Sequence, residues 1–241
     1  MDRSRERLVS IPEAYHDTAD EAALRIADVG CGIGVLLDDR ADAYPQADLL
    51  GVELPTEAAA EATERFDGRG HVTVLEGDAT ELLPEQAPFD VVYAINVIQD
   101  TPDPFETLGV LSDALADDGL LVLTVPGQSG TELFPDAISR DPAPDLPYLE
   151  MEDVTVGGRT FDWMQYVRPE SRLRDAFEDH GLTVLDRDEL TADATGLLHP
   201  MQLLGDEEGM ERARDRLERQ REDPTAGPSV ELYLLTPSGR G

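Results

Sequence analysis

Apolar residues fall in short runs of strand length, and the stretches between them repeat their apolar positions at helical spacing. Seven runs predict strands over Arg25 to Val29, Asp48 to Glu53, Val72 to Glu76, Asp90 to Asn96, Leu120 to Pro126, Leu182 to Asp186 and Val230 to Leu235. Runs this continuous suit strands buried on both faces. Between them, residues 35–44, 55–66 and 104–118 read as helices. The second opens with Pro55 in a first-turn position, and the third runs up to Gly119. Pro169 starts a further helix, in which Leu173, Ala176 and Phe177 share one face and Gly181 marks the stop. Strands alternating with helices predict an α/β fold, a doubly wound sheet with helices on both faces.

Two segments break the alternation. In 127–166, turn formers and prolines interrupt any long period, and a loop of that length inside a compact domain is generally functional. In 189–228 the stretch "DEEGMERARDRLERQRED" reads as an exposed helix laced with i, i+4 Glu/Arg pairs. Residues 1–24 form an arm or a helix ahead of the first strand. The expectation is a single domain over 1–241, with the two excursions as lids or walls of a substrate pocket.

Candidate chemistry begins at "IADVGCGIG", where Gly30, Gly32 and Gly34 follow the first strand directly and precede a helix, a place where backbone N–H groups face a ligand. A dinucleotide fingerprint, G-x-G-x-x-G, needs a third glycine where this chain has Val35. Asp28, two residues before Gly30, would repel a pyrophosphate but would suit the ammonium of an amino-acid moiety. Glu53 closes the second strand, where an acid can accept hydrogen bonds from both ribose hydroxyls of a nucleoside. Asp78 follows the third strand. It can accept from an adenine amine, cap the short helix that begins near Ala79, or do both.

In this order and spacing the motifs resemble those of class I S-adenosylmethionine-dependent methyltransferases. "IADVGCGIG" looks like the family's first motif, Glu53 like its ribose acid, and "LEGDA" like its adenine-site loop. "FDVVYAINVIQD" and "LSDALADDGLLVLTVP" are similar to its fourth strand and to the helix, turn and strand that follow. The resemblance runs from about Ile26 to Leu235. It implies a Rossmann-like seven-stranded sheet, mostly parallel with an antiparallel last strand, and S-adenosylmethionine as cofactor. It also implies cofactor contacts at Asp28, Gly30, Cys31, Gly32, Gly34, Glu53, Leu54, Asp78 and Ala79, with Asn96 and Val97 near the methionine end. Many relatives carry a histidine soon after the fourth strand; "NVIQDTPDP" has none, which leaves Gln99 and Asp100 there.

Methyl transfer by in-line displacement mainly requires alignment in a dry pocket, and some acceptors need a general base. His199 in "LLHPMQLL" is the histidine best placed to serve as one. Tyr15, Tyr148, Trp163, Tyr166 and His199 are the candidate acceptor-pocket residues. The histidines lack the spacing of a metal motif, so no metal is expected.

Composition adds a further constraint. Asp and Glu number 52 against 19 cations, all of them Arg, for a net charge of −33 spread over the whole chain. This resembles proteins of salt-adapted organisms and lacks the basic stripe that nucleic-acid binding calls for. With no run of 18 apolar residues, no apolar stretch after the first charges and a lone cysteine, Cys31, a cytoplasmic protein is expected. The leading expectation is methyl transfer to a small-molecule acceptor. A non-catalytic S-adenosylmethionine-binding protein, an RNA or protein methyltransferase and an NAD-dependent oxidoreductase are the alternatives, the last opposed by Val35 and Asp28.

Overall fold

The computed structural model describes residues 3–15, 24–101, 103–126, 138–139, 148–156, 159–166, 170–191 and 229–239. Strands β1 (Arg25–Val29), β2 (Asp48–Glu53), β3 (Val72–Glu76), β4 (Phe89–Ile95) and β5 (Leu115–Pro126) alternate with helices α2 (Val35–Ala43), α3 (Thr56–Arg65), α4 (Ala79–Gln86) and α5 (Pro104–Asp113). Helix α1 (Arg3–Tyr15) precedes them. The small strands β6 (Ile138–Ser139), β7 (Tyr148–Val156) and β8 (Arg159–Tyr166) follow, then α6 (Glu170–Asp179), β9 (Leu182–Thr191) and β10 (Ser229–Pro237).

The main sheet has the order β3-β2-β1-β4-β5-β10-β9, and β10 runs antiparallel to both of its neighbours. The remaining pairings among β1 to β5 are parallel, as the expected Rossmann-like sheet requires. Alternation along each strand divides the core. Ala27, Val29, Val92 and Ala94 face α4, α5 and α6, against Leu83, Leu108 and Phe177. Ile26, Val91 and Tyr93 face the other way, against Leu8, Leu37 and Ala62 of α1, α2 and α3. In α6, Leu173, Ala176 and Phe177 are buried as their spacing predicts, and Gly181 follows at φ 65°. Among the described residues no helix is long and apolar enough to cross a membrane.

Three features depart from the sequence reading. The third predicted helix stops at Asp113 rather than reaching Gly119. "LADDG" instead joins β5, where Leu115 pairs with Phe89 before the register shifts. Gly119 makes that bend possible, since an added Cβ would lie 2.9 Å from the Ala116 nitrogen and 3.0 Å from the Phe89 oxygen. Second, β9 continues past Asp186 to Thr191, because β10 pairs with it along that whole length. Third, the excursion 127–166 contains a separate antiparallel sheet of β6, β7 and β8. Gly157-Gly158, a hairpin-turn dipeptide, lies in the sequence between β7 and β8. Of residues 1–24, expected as an arm or a helix, Arg3–Tyr15 is helical. Most of the second excursion, including its charged stretch, lies outside the described residues.

Candidate functional site

The loop between β1 and α2 is built around left-handed backbone. Gly30, at φ 66°, donates its N–H to the Val52 carbonyl at 2.8 Å, and Cys31 donates to the same oxygen at 3.2 Å. A Cβ on Gly30 would lie 2.5 Å from Cγ2 of Val97, so this glycine is what lets the exit of β4 close on the exit of β1. Gly32 has φ 57°, yet a Cβ there would meet nothing within 4 Å. Its left-handed backbone lies at an open face, and its N–H donates to Oε2 of Glu53 at 2.5 Å. Gly34 caps α2 without a side-chain hydrogen bond, which puts the first turn of that helix beside the loop.

Glu53, the last residue of β2, is therefore brought onto the glycine loop, 21 residues away in sequence. Partial burial holds its carboxyl above the ordinary range; the N–H groups of Gly32 and Leu54 pull it down, and Asp28 adds a smaller upward push. Exposed apolar side chains stand on either side: Leu54 at 56%, Ile33 at 38% and Val35 at 37%. An acid with an apolar rim and an open backbone suits a molecule that has a flat apolar face and adjoining hydroxyls.

Asp28 is placed differently from the expectation. It does not offer an open carboxylate to a ligand ammonium; it is 2% exposed, and its Oδ2 accepts from Nη1 of Arg40 at 2.6 Å. The alternation of β1 explains this, because Asp28 shares with Ile26 the face that α1 and α2 cover. The Cys31 side chain turns inward against Gly51. Burial, with help from Asp28 and Glu53, pushes its thiol well up, so it is a packing residue in its protonated form.

Asp78 is the N-cap of α4: its Oδ1 accepts from the N–H and the hydroxyl of Thr80, and the side chain stays exposed. Ala79 opens that helix. Gly77 donates its N–H to the Glu53 carbonyl at 2.9 Å, which keeps this loop beside β2. At the exit of β4, Asn96 is the one described non-glycine residue with positive φ, 56°. Asn tolerates this region better than most residues. Thr124 secures it from β5, its hydroxyl accepting from the Asn96 N–H at 2.9 Å and lying 3.3 Å from the Asn96 side-chain oxygen. Thr124 escaped the sequence reading; a polar residue near the end of an apolar strand was its only signal. Gln99 is 3% exposed and Asp100 exposed, in the 3-10 turn Ile98–Asp100, and Nε2 of Gln99 donates to Oδ2 of Asp100 at 3.2 Å.

Of the pocket candidates, Tyr148 and Trp163 lie on β7 and β8, with Tyr148 opposite Tyr166 in the register. Strand β8 runs beside the 3-10 turn, which brings the hairpin backbone to the exit of β4. Tyr15 ends α1 and is 42% exposed. His199 lies outside the described residues. The structure thus brings together Gly30, Gly32, Glu53, Asp78 and Val97 along one edge of the sheet and withdraws Asp28 beneath it.

Residues 27–121 match the model of a methyltransferase domain. Over 124 residues the chain is 28% identical to a malonyl-[acyl-carrier protein] O-methyltransferase of Halalkalibacterium halodurans, which covers 50% of this chain and 46% of that one. Over 123 residues it is 32% identical to a trans-aconitate 2-methyltransferase of Streptomyces avermitilis, covering 50% and 44%. The chain thus spans about half the length of the curated relatives it matches. In fold it is similar to an S-adenosylmethionine-dependent methyltransferase from Clostridium acetobutylicum, with a TM-score of 0.58 at 15% identity over 99% of this chain and 93% of that one. From Ala27 to Leu121 the chain is similar in sequence to the methyltransferase domain, and across the whole sheet it is similar in fold to Rossmann-like methyltransferases.

Proposed function

We propose that the protein transfers a methyl group from S-adenosylmethionine to a small-molecule acceptor by in-line displacement. The observation that carries this reading is the Glu53 carboxylate meeting the Gly32 N–H at an open left-handed backbone, inside the segment that matches a methyltransferase domain. The residues fit the cofactor. Gly32 leaves room for close approach, Glu53 can accept from ribose hydroxyls, Leu54 and Ile33 offer apolar surface to an adenine, and Asp78 stands exposed one loop away. When bound, S-adenosylmethionine supplies an electrophilic methyl group on a sulfonium. The chain's residues bind and orient. Gly30, Gly32 and Gly34 set the loop, Cys31 and Ala79 line it through their backbone, and Asn96 and Val97 form the wall at the exit of β4. The backbone of the β7 and β8 hairpin, whose strands carry Tyr148, Trp163 and Tyr166, runs beside the exit of β4. On this reading that hairpin is the element that would wall the acceptor side; exclusion of water there would strengthen the polar contacts inside.

The two relatives are named for methylation of small carboxylic acids or their carrier-bound forms, and this makes oxygen of a carboxylate the first acceptor to try. We further propose a single cytoplasmic domain with no metal, adapted to high salt. The test is calorimetric titration with S-adenosylmethionine, S-adenosylhomocysteine and NADH. Labelled methyl transfer to trans-aconitate, to a malonyl thioester and into a cell extract then follows. Binding of the two sulfur nucleosides with transfer of label supports the reading; binding of NADH alone overturns it.

A further inference from the structure

Beneath the glycine loop lies an ion pair that cofactor binding does not by itself call for. Asp28 precedes the loop on β1, and Arg40 follows it in the second turn of α2. Their contact at 2.6 Å joins the two flanks of the loop to each other. Both side chains are withdrawn from water, at 3% exposure for Asp28 and 0% for Arg40. The guanidinium stacks on the Tyr93 ring, its carbon 3.5 Å from the ring centre. The Tyr93 hydroxyl in turn donates to the Leu8 carbonyl of α1 at 3.0 Å. Among the described residues, Nε and Nη2 of Arg40 have no hydrogen-bond partner.

Such a pair is a poor way to gain stability. Desolvation of both ions offsets their attraction, and an apolar pair of similar volume generally holds a fold as well. What the pair adds is geometry. The loop it spans contains three glycines with positive φ, the residues that lose most freedom on ordering. A loop already ordered before the ligand arrives binds more tightly, since the ordering cost is not met on binding.

We propose that Arg40 is a positioning residue for the cofactor loop: by pinning Asp28 across the loop's two flanks and stacking on Tyr93, it holds Gly30 and Gly32 ready for the nucleoside and makes α1 part of that unit. The proposal rests on the reading of this loop as the S-adenosylmethionine site.

The test is titration calorimetry with S-adenosylhomocysteine from about pH 6 to about pH 9, on the intact wild-type chain, Arg40→Met and Arg40→Met/Asp28→Asn, with thermal melts alongside. Arg40→Met is expected to lose roughly tenfold or more in affinity. It should also show a fall in affinity toward higher pH that is steeper than any in the wild type. Asp28 is faced by Arg40 from α2, Tyr93 from β4 and Cys31 and Glu53 at the loop ends. Burial already raises the Asp28 carboxyl in the wild type, with Arg40 pulling the other way. Without Arg40 the carboxyl rises further, and its ionisation then leaves a buried unpaired charge, so affinity falls as pH rises through it. Burial pushes Cys31 and Tyr93 further up, and a Glu53 titration would appear in both proteins. The double exchange removes both buried charges, so it carries the test if Arg40→Met does not fold. A double variant that melts like the wild type yet binds weakly supports the proposal. Wild-type affinity in the double variant, or in Arg40→Met at every pH, overturns it. A wild-type chain that binds no S-adenosylhomocysteine overturns the cofactor reading, and this proposal with it.

Discussion

The Tyr93 hydroxyl reaches the Leu8 carbonyl because Pro12, four residues beyond Leu8, has no N–H to give it. A helix interior would normally satisfy that oxygen by itself. Here a strand residue takes over, and Tyr44 makes a parallel bond to the Val9 carbonyl at 2.9 Å. Replacing Tyr93 with Phe leaves a buried carbonyl unpaired and should cost about 1–2 kcal/mol, read by denaturant unfolding. In a Pro12→Ala background the new N–H can serve the Leu8 oxygen, so the same exchange should cost about 0.5–1 kcal/mol less. Equal costs in the two backgrounds would mean that the proline is not what frees the carbonyl.

Gly30 and Gly32 share a backbone region but not a neighbourhood, and alanine should separate their roles. At Gly30 the added Cβ strikes Val97, so Gly30→Ala should destabilise by about 2–4 kcal/mol from left-handed strain plus overpacking, with part recovered by Val97→Ala. At Gly32 only the left-handed cost of about 1–2 kcal/mol applies, because the space above is open. Gly32→Ala should instead lose S-adenosylhomocysteine affinity out of proportion to its stability. Thermal melts and titration calorimetry on the same samples check both halves.

The contrast between Asp28 and Glu53 marks what could be read in the chain before its structure. The sheet was legible because its strands are continuous apolar runs, and the glycine loop because its spacing is local. Glu53 ends a strand that pairs with β1, so its arrival at Gly32 follows from topology. The fate of Asp28 does not, for a carboxylate beside a glycine loop reads the same whether it faces a ligand or a buried cation. Arg40 gave no warning: in "LLDDRADAY" an arginine among acids reads as a solvated surface charge, and only the packing of α2 on the sheet buries it. The hairpin of β7 and β8 had a local signal in Gly157-Gly158 that the surrounding prolines outweighed. Asn96 was legible as a strand exit, but its anchor Thr124 depended on a cross-strand partner 28 residues away.

Glu53 should leave a trace in the pH dependence of both stability and binding. Partial burial holds its carboxyl above the ordinary carboxylate range in the folded protein. A raised carboxyl favours the folded state most when protonated, so its contribution is fully present below the unfolded pKa and is lost as pH rises through the folded one. Glu53→Gln should remove that fall, so the wild-type and variant stability curves converge toward acid and separate above it. Binding has the opposite sign, because only the ionised acid accepts from two hydroxyls. Wild-type affinity for S-adenosylhomocysteine should rise over the same window, while the variant stays flat. Denaturant unfolding and calorimetry across that range check the pair of signs, and parallel curves for the two proteins would remove Glu53 from both roles.

A net charge of −33 predicts that salt governs the stability of the whole chain. At about 0.1 M salt the Debye length is roughly 10 Å, comparable to the spacing of carboxylates over the surface, so repulsion among them accumulates in the folded state. At about 1 M it is roughly 3 Å, and that repulsion is screened. Screening also weakens the attractive pairs that are open to solvent, such as Arg7 with Asp186 at 2.9 Å and with Asp188 at 3.1 Å. Exposed pairs of this kind contribute only about 0–1 kcal/mol each, and with 52 acids against 19 cations most carboxylates cannot find one. Relief of repulsion should therefore win, and the Tm should climb steadily as KCl is raised toward molar concentration. The Asp28–Arg40 pair, buried at 2.6 Å, lies beyond the reach of bulk ions, so the Tm difference between wild type and Arg40→Met should not change with salt. A Tm that is flat or falling in KCl would mean that the acidic surface is not what limits stability.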